Sequence, residues 1–200
     1  KKEFLQRSDL IHATEPVRAF LNQLKLLKDR IPAEKSNEES LETSWQMTVD
    51  EILFGKKSFQ EFFEPEGAEK LAEIWERNFS RIEPAIASEI ARLAPDYFTA
   101  PTGNRFRIHY PPDRTPYVEV RLQELFGIKE NPKVGGQPLT FHLLGPNYRP
   151  VQVTSDLVGF WKGSYFDVKK ELRARYPKHS WPDDPMQAVA VAKGRPQKNR

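Results

Sequence analysis

At Pro95 the apolar pattern of the chain changes its period, from about 3.6 residues to about 2, and no one element type satisfies both. Before that point the pattern is helical. Thr14 can cap a helix with apolar positions Val17, Phe20, Leu21, Leu24 and Leu27, which Pro32 must end. A second set, Leu41, Trp45, Val49, Ile52 and Leu53, closes at Gly55, and a third runs through Leu71, Ile74, Trp75 and Phe79. Pro84 interrupts this pattern, and Ile86, Ile90 and Leu93 carry it on to Ala94-Pro95. Four helices with one-sided apolar stripes must bury them against one another or against a neighbouring domain.

After Pro95 the residues alternate. Tyr97-Phe98-Thr99 leads into the turn Pro101-Thr102-Gly103-Asn104, and Arg105-Phe106-Arg107-Ile108-His109-Tyr110 places its cations on the face opposite its apolar residues. Tyr117 to Leu122 is a third strand, and Gln123 to Phe126 a short helical piece stopped by Gly127. A loop with Pro132, Gly135, Gly136 and Pro138 precedes Leu139 to Leu143, and Val151-Gln152-Val153 follows Pro146 and Pro150. A long helix from Asp156 to Tyr176, capped by Ser155, has the core stripe Leu157, Trp161, Tyr165, Val168 and Leu172. The fold expected is therefore α+β: a helical N-terminal half, then a small five-stranded, OB-like antiparallel sheet or barrel with a long C-terminal helix. Its expected divisions are a helical region 1–94, a C-terminal domain 95–185 and a disordered basic tail 186–200 that ends in Lys193, Arg195, Lys198 and Arg200.

The net charge of +3 conceals an asymmetry. Residues 1–100 carry 14 Lys+Arg against 19 Asp+Glu, whereas residues 101–200 carry 17 against 9. Such a split points to a polyanionic partner for the second half, although a soluble surface also needs charge of some sign. No apolar run approaches the ~18–20 residues of a membrane span, and no apolar stretch follows Lys1-Lys2-Glu3 as a secretory signal would require. With no cysteine for disulfides, the cytoplasm is the expected location, and a first residue other than Met fits a piece of a longer protein.

The chemistry sought in the sequence is mostly missing. There is no G-x-x-x-x-G-K-[ST] or G-x-G-x-x-G cradle, so nucleotide binding in the P-loop manner is excluded. His12, His109, His142 and His179 lie far apart, and none belongs to a zinc motif; His109 and His142 sit on strands that could bring them together. Asp183-Asp184, between Pro182 and Pro185, suits a turn better than an acid–base pair, and no nucleophile elbow occurs. No catalytic residue, metal ligand or bound cofactor is expected.

What remains is cations interleaved with aromatics. Arg105 and Arg107 share a strand face and Arg121 lies on another strand, a spacing that suits a phosphate backbone tracked across a sheet. Lys162, Phe166, Lys169 and Arg173 form a stripe on the last helix opposite its core stripe. An ordinary solvated face would look much the same residue by residue, and only the concentration in one half favours binding.

Several longer strings occur in order: Leu93-Ala94-Pro95, Pro101-Thr102-Gly103, Val120-Arg121-Leu122-Gln123-Glu124-Leu125-Phe126-Gly127 and His142-Leu143-Leu144. Arg149-Pro150-Val151-Gln152-Val153-Thr154, Phe160-Trp161, Lys169-Lys170-Glu171-Leu172-Arg173, Arg175-Tyr176-Pro177-Lys178-His179 and Trp181-Pro182-Asp183-Asp184-Pro185 complete the series. From Ala94 to Pro185 the chain thereby resembles the C-terminal region of the HrpB-type bacterial ATP-dependent helicases, relatives of the DEAH-box RNA helicases. It departs from that pattern in the turn Pro101-Thr102-Gly103-Asn104, where the family usually has a serine-rich version, and at His109, where an acidic residue is common. The resemblance implies a parent enzyme that uses ATP and Mg in upstream RecA-like domains to unwind or remodel RNA or DNA. None of those upstream motifs is present here. Two roles then compete. In one, Arg105, Arg107, Arg121, Lys162, Lys169 and Arg173 contact single-stranded RNA or DNA. In the other, the region docks on the upstream helicase domains or a protein partner, with Tyr176 and Trp181 as anchors.

Overall fold

In a computed structural model of the chain, residues 15–27, 37–53, 65–112 and 114–192 are described. Thr14, Pro32, Gly55 and the basic residues from Lys193 onward lie outside them, so the expected caps, stops and terminal tail at those positions are not part of the description. The chain divides into two compact units, one of residues 1–94 with 110–114 and one of residues 95–109 with 115–200.

The first unit has four helices among the described residues: α1 (Glu15–Leu26), α2 (Asn37–Leu53), α3 (Pro65–Ile82) and α4 (Pro84–Leu93). Most of the apolar stripes expected from the periodicity are buried: Phe20, Leu24 and Leu27; Trp45, Val49 and Ile52; Leu71, Trp75 and Phe79; Ile86 and Ile90, whereas Leu21, Leu41, Ile74 and Leu93 are half-buried. α3 packs against each of the other three. At the centre the Phe20 ring meets Trp75 and Phe79 edge-on, both with centroids 5.5 Å away, and Trp45 lies 4.7 Å from Trp75. Such pairs contribute ~1 kcal/mol each beyond the area they bury. Two polar side chains in this core find partners: Trp75 Nε1 donates to Ser44 Oγ at 2.9 Å and Asn78 Nδ2 to Thr48 Oγ1 at 3.1 Å. Pro84 occupies the first turn of α4, where its missing N–H costs nothing, so it starts a helix in place of breaking one.

The second unit is built on a five-stranded sheet: β1 (Tyr97–Thr99), β2 (Arg105–His109), β3 (Tyr117–Arg121), β6 (Thr140–Leu144) and β7 (Pro150–Thr154), paired in the order β1-β2-β3-β6-β7. A two-stranded ribbon, β4 (Lys133–Val134) with β5 (Gln137–Pro138), turns through Gly135 and Gly136, whose φ of 58° and 82° a hairpin of this kind requires. The α+β class agrees with the sequence, but two of its details do not. β3 and β6 run parallel, so the sheet is mixed where an antiparallel one was expected. Residues 122–139, a 3-10 helix (Leu122–Leu125) and the β4–β5 ribbon, supply the long crossover that parallel neighbours need. β1 and β7 stand at opposite edges and do not pair, so the sheet is open and no barrel closes.

The expected long helix is also two helices, α5 (Leu157–Lys162) and α6 (Tyr165–Arg175), separated at Gly163-Ser164. Glycine holds a helix weakly, and the break lets Trp161 and Tyr165 both enter the core, where their rings meet edge-on at 5.5 Å. The cap is Asp156, which accepts from the Gly159 N–H at 2.8 Å, and not Ser155. Asn131 donates to the same carboxylate, and these two bonds hold Asp156 below the usual carboxylate range. Phe126 joins the Trp161 and Tyr165 cluster, while Ile108, Val118, Val120, Phe141 and Leu143 line the buried face of the sheet.

Candidate nucleic-acid interface

Alternation along β2 and β3, read through the pairing, decides what the sheet shows to solvent. Ile108 opposes Val118 on the buried face, so Arg105, Arg107 and His109 share the other face with Tyr117, Glu119 and Arg121. Tyr97 of β1 lies directly across from Arg107 and is 41% exposed. The Arg105 guanidinium sits over the Tyr97 ring, 4.3 Å from its centroid, and both arginines are exposed. A guanidinium over a phenol ring, with a second guanidinium on the same sheet face, combines an aromatic surface with donors suited to phosphate oxygens.

Arg121 is on this face but differently employed. Only 13% exposed, it donates from Nη2 to Glu124 Oε1 at 2.6 Å, and the Glu124 side chain is 2% exposed. Thr102 Oγ1 and Asn104 Nδ2 donate to the other oxygen, Oε2, at 2.5 and 2.9 Å. The buried carboxylate thus ties the β1–β2 turn to the 3-10 helix, and the charge of Arg121 is matched within the unit. Its guanidinium also lies 5.1 Å from the ring centroid of Tyr148.

The remaining members of the expected set lie on the helices. Lys162 closes α5 and is exposed, as is Arg173 on α6. Lys169 was expected on the outer stripe but is 8% exposed, because the segment 181–185 folds over α6. Its Nζ donates to the Pro182 carbonyl at 3.0 Å and to Asp183 Oδ1 at 2.5 Å, and Tyr165 Oη donates to the same carbonyl at 2.8 Å. The hydrogen bond and charge of Lys169 hold the Asp183 carboxyl below its usual range, and burial, then the Asp183 charge, push the Tyr165 phenol up. Beside this clamp an open groove of about 570 Å³ runs between Phe166, Lys170, Arg173 and Pro177. Tyr176 and Trp181 face each other's segment: Trp181 Nε1 donates to the Tyr176 carbonyl at 2.9 Å. Further along, Gly127 N–H donates to the Pro185 carbonyl and Val191 N–H to that of Gln123, both at 2.9 Å.

His109 and His142 do come to one face, but not to one point. The Tyr117 ring stacks between them, with centroids 4.7 Å from His109 and 4.3 Å from His142. Two imidazoles on opposite sides of a ring cannot share an ion, and no group of three His, Asp or Glu among the described residues could hold one. No P-loop phosphate cradle occurs in the sequence, and among the described residues no metal-ligand cluster stands in its place. Tyr97 and Tyr148 were passed over in the sequence. Tyr97 opens a strand pattern and reads as core, and Tyr148 sits in a loop where only backbone geometry singles it out.

Fold and surface together define an α+β domain with an exposed arginine–aromatic sheet face. The family model described as ATP-dependent helicase C-terminal, HrpB_C, matches residues 66–185, and the chain belongs to that family. It is 52% identical to the ATP-dependent RNA helicase HrpB of Escherichia coli K12 over 93 residues, 46% of this chain and 12% of that protein. Among solved structures it resembles the E. coli DExH-box NTPase HrpB with a TM-score of 0.69 at 33% identity, covering 89% of this chain and 22% of that one. A second, of the E. coli DEAH/RHA helicase HrpB, gives a TM-score of 0.56 at 32% identity over 84% of this chain and 21% of that one. The chain therefore spans less than a quarter of the proteins it matches. Among the described residues no helix is long and apolar enough to cross a membrane.

Proposed function

We propose that this chain is the non-catalytic C-terminal accessory region of a cytoplasmic ATP-dependent helicase and that its second unit contacts single-stranded RNA or DNA. ATP and Mg would act in the upstream helicase domains of the same protein, which are its second partner. The observation that carries the reading is the exposed pair Arg105 and Arg107 on one sheet face with Tyr97 beneath Arg105. Lys162, Lys170 and Arg173 add exposed charge on the helices. Arg121 and Lys169 contribute less to a phosphate, because each already holds a carboxylate.

The test is fluorescence anisotropy of a labelled single-stranded oligonucleotide across a salt series. Binding should weaken steeply with salt, and Arg105→Ala with Arg107→Ala should lower the log–log salt slope by about 1.4, the loss of two single-strand phosphate contacts. No binding at low salt would refute the reading, and binding that ignores the double substitution would move the interface elsewhere.

A further inference from the structure

Among the described residues, Tyr148 is the one residue other than glycine with a positive φ, at 61°. It lies in the turn that joins β6 to β7. Tyr148 N–H donates to the Gly145 carbonyl at 3.0 Å, and Gly145 N–H donates to the Arg149 carbonyl at 2.9 Å. This is a tight turn followed by a left-handed residue, a position that normally falls to glycine because a Cβ there crowds the backbone. A ring bonded to that Cβ would be explained if the side chain were buried, but Tyr148 is 66% exposed. The chain thus accepts backbone strain to hold a large aromatic side chain in solvent, and strain of this kind collects at binding sites.

The surroundings say what would bind. β2 starts, and β3 and β6 finish, at the same end of the sheet, so Arg105, Arg121 and the β6–β7 turn share it. Arg121, anchored on Glu124, lies against the Tyr148 ring at 5.1 Å and restrains it. Arg149 is the next residue and is exposed, as is Arg105. An exposed aromatic ring among unburied arginines suits an occupant that is flat, aromatic and anionic. We infer that Tyr148 is a base-stacking residue: a base of a single-stranded nucleic acid packs on its ring while Arg105 and Arg149 hold neighbouring phosphates. This rests on the nucleic-acid reading above and adds to it a residue, a contact type and a place on the sheet.

The experiment uses the full chain and a labelled single-stranded oligouridylate. Tyr148→Gly should raise the Tm, since glycine relieves the left-handed position, and should weaken binding about five- to a hundredfold, the loss of one stacked base. Tyr148→Phe should bind like the wild type. The salt slope should stay unchanged in Tyr148→Gly and fall in Arg149→Ala, because a ring neutralises no phosphate. Wild-type binding with Tyr148→Gly equally tight overturns the inference alone. A lower Tm in Tyr148→Gly overturns the strain argument behind it, and failure of the wild type to bind at low salt overturns the nucleic-acid reading and this inference together.

Discussion

Replacing Arg121 by alanine should damage the second unit far more than replacing Arg105, although the sequence places both in the same basic set. The Glu124 side chain is 2% exposed and its counter-charge is Arg121, itself 13% exposed, at 2.6 Å. Unit charges about 4 Å apart at an effective dielectric of about 20 attract by ~4 kcal/mol, and breaking a buried pair by removing one partner costs about 3–5 kcal/mol. Thr102 and Asn104 remain to bond the carboxylate, so Arg121→Ala should fall within that range and not above it. Thr102→Val removes one charge-assisted hydrogen bond and should cost about 2 kcal/mol. Arg105 is exposed, and its truncation should cost at most about 1 kcal/mol. Urea unfolding followed by peptide-resolved hydrogen exchange over residues 97–126 reads this unit separately from the helical one. Adding Glu124→Gln to Arg121→Ala should recover part of the loss, since the stranded charge disappears. A cost below about 1 kcal/mol for Arg121→Ala, or a double variant no better than the single, would refute the buried-pair account.

Three further outcomes follow from the same geometry. Gly159→Ala should lower the Tm where helix propensity alone would raise it, because a Cβ at 159 would lie 2.1 Å from Asp156 Oδ2 and displace the cap; a differential scanning trace with a raised Tm would contradict this. Phe79→Ala should destabilise the helical unit by about 3–5 kcal/mol, measured by circular dichroism, since the ring is fully buried against Phe20. The Lys169–Asp183 clamp should open in acid. The folded Asp183 carboxyl is held below its ordinary 3.8, so its contribution is present above that value and is lost as pH falls through the folded value. Hydrogen exchange at 181–186 should rise below about pH 3.8 in the wild type and show no such step in Lys169→Met.

How far the residues themselves disclose this protein differs between its halves. Stripes such as Phe20, Leu24 and Leu27, or Leu71, Trp75 and Phe79, are local patterns with one physical solution, and they are the buried ones. β2 and β3 were equally legible, because alternation assigns Phe106 and Ile108 to one face and Arg105 and Arg107 to the other. The parallel pairing of β3 with β6 was not, because strand order depends on contacts across residues 122–139 that no local pattern encodes.

The site divides along the same line. Charge asymmetry and the missing phosphate cradle are properties of composition and motif, so the sequence by itself determined which half carries the basic charge and that no P-loop motif is present. Which cations are available was decided only by tertiary structure. Arg121 and Arg105 look alike along the chain, yet one neutralises Glu124 and the other lies exposed over Tyr97. Lys169 sits at the outward spacing of α6 and is buried because residues 181–185 cross it. A charge is free or spent according to what distant segments bring to it, and periodicity carries no record of that.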